Sequence, residues 1–217
     1  MIKTAGEELF ERYLYNNNII FQREPQFNKK KPDYLIKGVS QSVICDVKDF
    51  EMGDIEKSSY KAGLQDLINN PFLNEKEKLK LVNELKKFKD IQAHNAGTFD
   101  PQKKINSKLK RFREQINDFK NDYPCVIVFY NSQGMPYTAP LILESILLNL
   151  LQSNKNTCIS AIATLEQKFK YDGLDINNDR INAEPYLIIY NNQFATTALL
   201  IGLFNGRYDE YKNLKQK

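Results

Sequence analysis

The sequence predicts an α/β domain: a helix, a three-strand meander, a second helix and a further strand, with a helical insertion and a C-terminal α/β extension. Three observations carry that reading. Tyr34 to Lys37 and Ser42 to Lys48 are short runs of strand-type residues separated by a Gly38-containing turn. Ile105, Leu109, Phe112, Ile116 and Phe119 recur at four-three spacing, the buried stripe of an amphipathic helix. Cys125 to Tyr130 is an unbroken apolar run between Pro124 and Asn131, as a central strand covered on both faces requires.

In chain order, Thr4 to Asn16 reads as the first helix. Phe10, Tyr13 and Leu14 form its apolar stripe, Thr4-x-x-Glu7 has capping-box spacing, and Asn16-Asn17-Asn18 ends it. Ile19 to Phe27 has strand character, with Pro25 making its second half an edge or a bulge because proline has no N–H for the ladder. From Met52 to Ala93 the pattern becomes charged and helical, at Ile55 to Ile68 and, after Pro71, at Glu75 to Ile91. Asp100-Pro101 supplies an N-cap acid and a first-turn proline for the second core helix, which runs to about Lys120. Beyond the central strand come a helix from Pro140 to Leu151, strands at Cys158 to Leu165 and Tyr186 to Tyr190, and an apolar helix from about Thr196 to Phe204. The expected division is residues 1–50 and 98–131 for the core, 51–97 for the insertion, and 132–217 for an extension of the sheet or a second lobe.

Composition narrows the chemistry. With 217 residues, 41% hydrophobic, the chain can bury one good core. A net charge of +4 is too mild for a histone-like coat and suits a local basic surface facing a polyanion. Cys45, Cys125 and Cys158 lie singly in apolar runs without Cys-x-x-Cys spacing, so reduced core thiols and a cytoplasmic setting are expected rather than disulfides or zinc. The start of the chain has no charged-then-apolar leader pattern, and the longest apolar stretch, Leu141 to Leu151, is broken by Glu144, Ser145 and Asn149, so no membrane segment is expected. His94, the sole histidine, sits in a polar stretch and reads as solvated, which excludes paired-histidine and histidine-rich zinc chemistry. No glycine-rich phosphate loop follows a strand, so no nucleotide cofactor is expected. Carboxylates, a lysine and a metal are what remain.

Those groups converge on the meander. Side chains alternate along a strand, so Asp46 and Lys48 share a face while Val47 turns into the packing layer. Asp33 sits at the start of the preceding strand, where an antiparallel hairpin brings its carboxylate beside Asp46. Two hard oxygen ligands and an ammonium suit magnesium, which takes one or two carboxylates, keeps several waters and completes its shell with substrate phosphate.

Pro32-Asp33, twelve intervening residues and then Asp46-Val47-Lys48, set in the order helix, meander, helix, strand, resemble the PD-(D/E)xK nuclease superfamily, the restriction-endonuclease-like fold. The resemblance covers roughly residues 4–50 and 101–131 and implies a magnesium-dependent endonuclease acting on DNA, with manganese as a substitute ion. It implies Asp33 and Asp46 as metal ligands, the Val47 carbonyl as a third, and Lys48 as the group that orients or activates water. It also implies an acid in the first helix. Glu7, Glu8 and Glu11 compete for that place: Glu7, three residues before Phe10 and seven before Leu14, is in register with the inward stripe and is preferred, whereas Glu8 shares the outward face with Arg12; Glu7 equally fits the capping box with Thr4, and both roles can hold. On the second helix Lys104, Lys108, Arg111 and Gln115 form one polar stripe. There the resemblance gives Gln115 to the nucleophile or a phosphate, and Lys108 and Arg111 to the DNA backbone. Two other outcomes fit the same residues: a fold of this type that binds nucleic acid or a protein without catalysis, and an interaction scaffold built on the charged helices. The apolar C-terminal helices also suit a homodimer.

Overall fold

The structure, a computed structural model, describes residues 3–27, 31–50, 54–88, 101–131, 140–151, 156–168, 183–200, 202–207 and 209–213. The chain divides into two compact units, one of Met1–Phe50 with Pro101–Lys217 and one of Glu51–Asp100. The larger unit holds α1 (Ala5–Asn16), β1 (Ile20–Arg23), β2 (Tyr34–Lys37), β3 (Ser42–Asp49), a helix that follows the second unit, β4 (Cys125–Tyr130), a helix at Pro140–Leu151, β5 (Ala161–Lys168), β6 (Glu184–Asn191) and β7 (Glu210–Asn213). The smaller unit holds α2 (Asp54–Ile68), α3 (Glu75–Leu85) and a 3-10 turn at Lys86–Phe88; the two later helices of the larger unit are then α4 (Pro101–Ile116) and α5 (Pro140–Leu151).

All seven strands form one mixed sheet in sequential order. The pairs β1–β2, β2–β3 and β5–β6 are antiparallel, and β3–β4, β4–β5 and β6–β7 are parallel. Residues after 132 therefore extend the same sheet. The two parallel crossovers from β3 to β4 and from β4 to β5 need long connections, which α4 and α5 end. Helix α1 buries Leu9, Phe10, Tyr13 and Leu14 against Tyr34, Cys45, Val47, Val126 and Val128 on one face of the sheet. On the other face Ile105, Leu109, Phe112 and Ile116 of α4 and Leu143, Leu147 and Leu151 of α5 pack against Ile44, Cys125, Ile127 and Ile162. The α4 stripe is the one its spacing predicts, and each of those four side chains is at most 1% exposed.

Local signals set the ends. Thr4 caps α1 with the reciprocal bonds of a capping box, Glu7 N–H to Thr4 Oγ1 at 3.2 Å and Thr4 N–H to Glu7 Oε2 at 2.7 Å. Asn74 caps α3 in the same way with Glu77. Strand β1 stops at Arg23, shorter than the Ile19 to Phe27 expected, because Glu24 turns to φ 45° ahead of Pro25. Helix α4 gives way to turns after Ile116 rather than at Lys120. Asp100, His94 and the end of the helix expected to reach Ile91 lie outside the described residues.

The apolar helix expected from Thr196 to Phe204 is corrected: the described residues of that stretch form turns and irregular chain. Side chains and distant backbone take over the bonds a helix would need. Thr196 N–H donates to the Thr157 carbonyl at 2.7 Å, Thr197 Oγ1 to the Lys120 carbonyl at 2.7 Å, and Leu200 N–H to Gln41 Oε1 at 3.1 Å. Leu199 and Phe204 still reach the core on the α1 side, as parts of a strap rather than a helix. Gly202 at φ +88° supplies a bend that other residues resist. The strap leads to β7, a four-residue edge strand of mixed polarity with no alternating signal of its own. Its anchor is Asp209, whose carboxylate accepts from Tyr13 Oη, from Leu187 N–H at 2.8 Å and from Gly206 N–H at 2.9 Å. Among the described residues no helix is long and apolar enough to cross a membrane.

Candidate functional site

The β2–β3 hairpin builds the site. Tyr34 pairs with Cys45, and continuing that antiparallel register sets Asp33 opposite Asp46. The turn is tight: Gly38 N–H donates to the Gln41 carbonyl at 3.0 Å, and a Cβ on Gly38 would lie 2.7 Å from that oxygen. Asp33 Oδ2 accepts the Val47 N–H at 2.9 Å, which fixes the carboxylate at the strand edge. Val47 itself packs on the α1 side, so Asp46 and Lys48 face the α4 side together, as the alternation requires.

Asp46 is fully buried at 0% exposure, and a buried carboxylate is costly unless compensated. Its compensation comes from two groups. The Lys48 ammonium forms an ion pair with Asp46 Oδ2 and lies 3.8 Å from Asp33 Oδ2. Gln115 Nε2, from α4, donates to Asp46 Oδ1 at 3.3 Å and to the Lys31 carbonyl at 3.1 Å. The Lys48 ammonium and the Gln115 amide thus take up the two oxygens of the Asp46 carboxylate.

Electrostatics divides the two acids. Burial, then a hydrogen bond to Asp46 and its negative charge, push the Asp33 carboxyl up to about 8, against the opposing pull of Lys48 and the Val47 N–H. A neutral Asp33 therefore shares a proton with its neighbour at neutral pH. Burial alone would favour neutral Lys48, but Asp46, Asp33 and Glu7 outweigh it and the ammonium pKa is raised. Lys48 is thus a fixed cation here and not a neutral base.

The site fits a divalent cation on the chemistry of its donors. The raised Asp33 carboxyl and the buried Asp46 carboxylate stand side by side against a single ammonium, and two such oxygen donors suit an added hard cation. Among the described residues no group of three His, Cys, Asp or Glu side chains gathers to hold a metal, so such an ion would rest on Asp33, Asp46, water and substrate oxygens.

The other expected residues lie as follows. Glu7 serves the capping box and sits 4.0 Å from Arg23 Nη2; its charge bears on Lys48, but it does not join a three-ligand group with the two aspartates. Gln115 Nε2 contacts Asp46 and so positions that carboxylate. Lys108 lies over the Phe50 ring at 5.7 Å, and Arg111 is exposed. Among the three competing acids of α1 the sequence reading prefers Glu7, and the structure buries Glu11 more deeply. This buried residue accepts from Tyr34 Oη at 3.1 Å, ion-pairs with Lys3 and lies 3.7 Å from Arg23 Nε. The available signal was spacing: Glu11 is one turn beyond Glu7 on the same helix flank.

Comparison of the chain with protein-family models, with characterised proteins and with solved structures gives no match.

Proposed function

We propose that the protein is a metal-dependent DNA endonuclease of the PD-(D/E)xK type. The observation that carries this reading is the meeting of Asp33, Asp46 and Lys48 at one point of the β2–β3 hairpin, with Gln115 of α4 bonded to the buried acid. The sequential order of an opening helix, three antiparallel strands, a crossover ending in α4 and a parallel β4 agrees with what the sequence resemblance implies and supports it further.

Asp33 and Asp46 would hold magnesium or manganese. Such an ion supplies Lewis acidity toward a phosphoryl oxygen and toward the attacking water. The chain's own contribution is electrostatic and positional. Lys48, kept cationic by the acids, faces the place where phosphate charge increases during in-line displacement. Gln115 holds the Asp46 carboxylate in one orientation, and the Val47 N–H holds Asp33. Asp33, its carboxyl pushed up to about 8, would have to give up its proton to serve as a ligand, so ion binding would be favoured by rising pH.

One observation favours a second reading, a non-catalytic module of the same fold that binds nucleic acid: Lys48 already neutralises the acid pair, and no third ligating side chain stands with it among the described residues. Incubation of supercoiled plasmid with magnesium or manganese separates the two. The endonuclease reading expects nicking that is lost in Lys48→Ala and Asp46→Asn; salt-sensitive binding without nicking under any divalent ion establishes the module instead.

A further inference from the structure

Helix α4 carries a second charged flank that the carboxylate site does not use. Lys103, Asn106, Ser107, Lys110 and Arg113 recur at three, one, three and three residues, which places them on one side of the buried stripe, away from Lys104, Lys108, Arg111 and Gln115 on the other. With Leu150 of α5 and Asn156 they line a cleft of about 460 Å³, a volume in the range of sites for small ligands. None of these seven lining residues is acidic.

Part of the cleft wall is rigidly built. Arg113 Nη1 donates to Asn156 Oδ1 at 2.7 Å. Asn156 is 2% exposed, and its own Nδ2 donates to the Leu150 carbonyl at 2.7 Å while its carbonyl accepts from Asn192 Nδ2 at 3.1 Å. Anchoring one of the five guanidinium N–H groups fixes the plane of the others at the cleft. Two lysines supply point charges, Ser107 and Asn106 supply neutral donors, and Leu150 offers an apolar surface of the kind a sugar edge covers. This is recognition chemistry for a phosphate ester.

The helix as a whole decides between an isolated phosphate and a polymer. Within its sixteen residues α4 carries six cations, Lys103, Lys104, Lys108, Lys110, Arg111 and Arg113, against one acid, Glu114. Positive charge therefore continues from the cleft around the helix toward the flank that reaches Asp46. A single phosphate has no use for such a track, whereas a backbone of repeating phosphates does.

We propose that the cleft is a phosphodiester subsite that holds a stretch of nucleic-acid backbone away from the reacting phosphate. The proposal rests on the endonuclease reading in taking DNA as the polymer and in placing a reacting phosphate elsewhere. Its test is fluorescence anisotropy with a labelled DNA duplex and the full chain in EDTA, where no cutting occurs. The double variant Lys103→Gln/Lys110→Gln is compared with Lys37→Gln/Lys168→Gln, which removes the same charge from exposed strand ends. Loss of two phosphate contacts is expected to weaken binding about tenfold at low salt and to make the slope of log K against log salt shallower by about two. The charge-matched control should change affinity by less than about threefold. Equal losses in the two double variants, or none in the cleft variant, overturn the subsite. A calorimetric arm uses inorganic phosphate and adenosine monophosphate: saturable binding of either, lost in the cleft variant while duplex affinity is kept, assigns the cleft to a small phosphate and overturns the nucleic-acid assignment. Plasmid nicking is scored separately. A wild type that never nicks while the cleft variant loses affinity ends the endonuclease reading and supports the subsite; nicking with unchanged affinity does the reverse.

Discussion

Replacing Lys48 with methionine removes a cation that faces both aspartates while keeping most of the side-chain volume. Asp46 is 0% exposed and Lys48 22%, so the variant leaves a buried carboxylate without its ion-pair partner. Removing one member of a fully buried pair costs about 3–5 kcal/mol; the partial exposure of Lys48 lets water reach the vacated position, and we expect about 2–3 kcal/mol at about pH 8. The pH dependence is the sharper part. Without the ammonium the acid pair holds its protons to higher pH, and a folded state that binds more protons than its reference gains stability as pH falls. The penalty should therefore shrink on acidification, by about 1 kcal/mol for each unit by which the pair's titration moves up. Urea unfolding followed by circular dichroism at about pH 5 and about pH 8 reads both values. A penalty below about 0.5 kcal/mol at the higher pH, or one that grows toward acid, refutes the coupling of Lys48 to the acid pair.

Three further outcomes follow from the same structure. In the ion-free wild type, Asp33 is pushed up to about 8 from 3.8, so the folded state keeps a proton that the unfolded chain has released; stability should fall as pH rises between those values, and millimolar magnesium should raise Tm most at the alkaline end of that window. Gly6→Ala should destabilise the larger unit by about 1–3 kcal/mol in urea, because a Cβ there would lie 1.8 Å from Asp49 Oδ1 and 3.1 Å from Tyr130 Cβ, and Asp49 Oδ2 accepts the Gly6 N–H at 3.0 Å. Burial raises the Cys45 thiol well above its ordinary value and pushes Cys125 up to about 12, so neither should react with a thiol reagent at neutral pH until the chain unfolds, whereas half-exposed Cys158 should react first.

The core was legible where one physical pattern dominated. The α4 stripe, the β4 run and the capping box of α1 each follow from a single periodicity or spacing, and packing agrees with them. Asp33, Asp46 and Lys48 were legible because alternation along β3 and one hairpin register decide where they point. The segment from Thr196 to Phe204 was not, because irregular chain carrying the buried Leu199 and Phe204 is held by bonds to Gln41, Lys120 and Thr157, partners far away in sequence. Strand β7 depends on Asp209 contacting Tyr13, a pairing across most of the chain. Gln115 was legible as a residue of the polar stripe, but its contact with Asp46 was not, since that depends on how α4 packs over β3. The cleft beside Arg113 was hidden for a related reason: Lys110 read alone is a solvated lysine, and only Leu150 and Asn156 make its flank concave.

Metal binding by Asp33 and Asp46 is the step on which the proposed activity depends. Manganese titration followed by electron paramagnetic resonance tests it directly, because the free ion's signal is lost on binding. The account expects one saturable site in the wild type, tightening as pH rises toward about 8 as the Asp33 proton leaves, and abolished in Asp46→Asn. Absence of a saturable site, or binding that Asp46→Asn leaves unchanged, contradicts it.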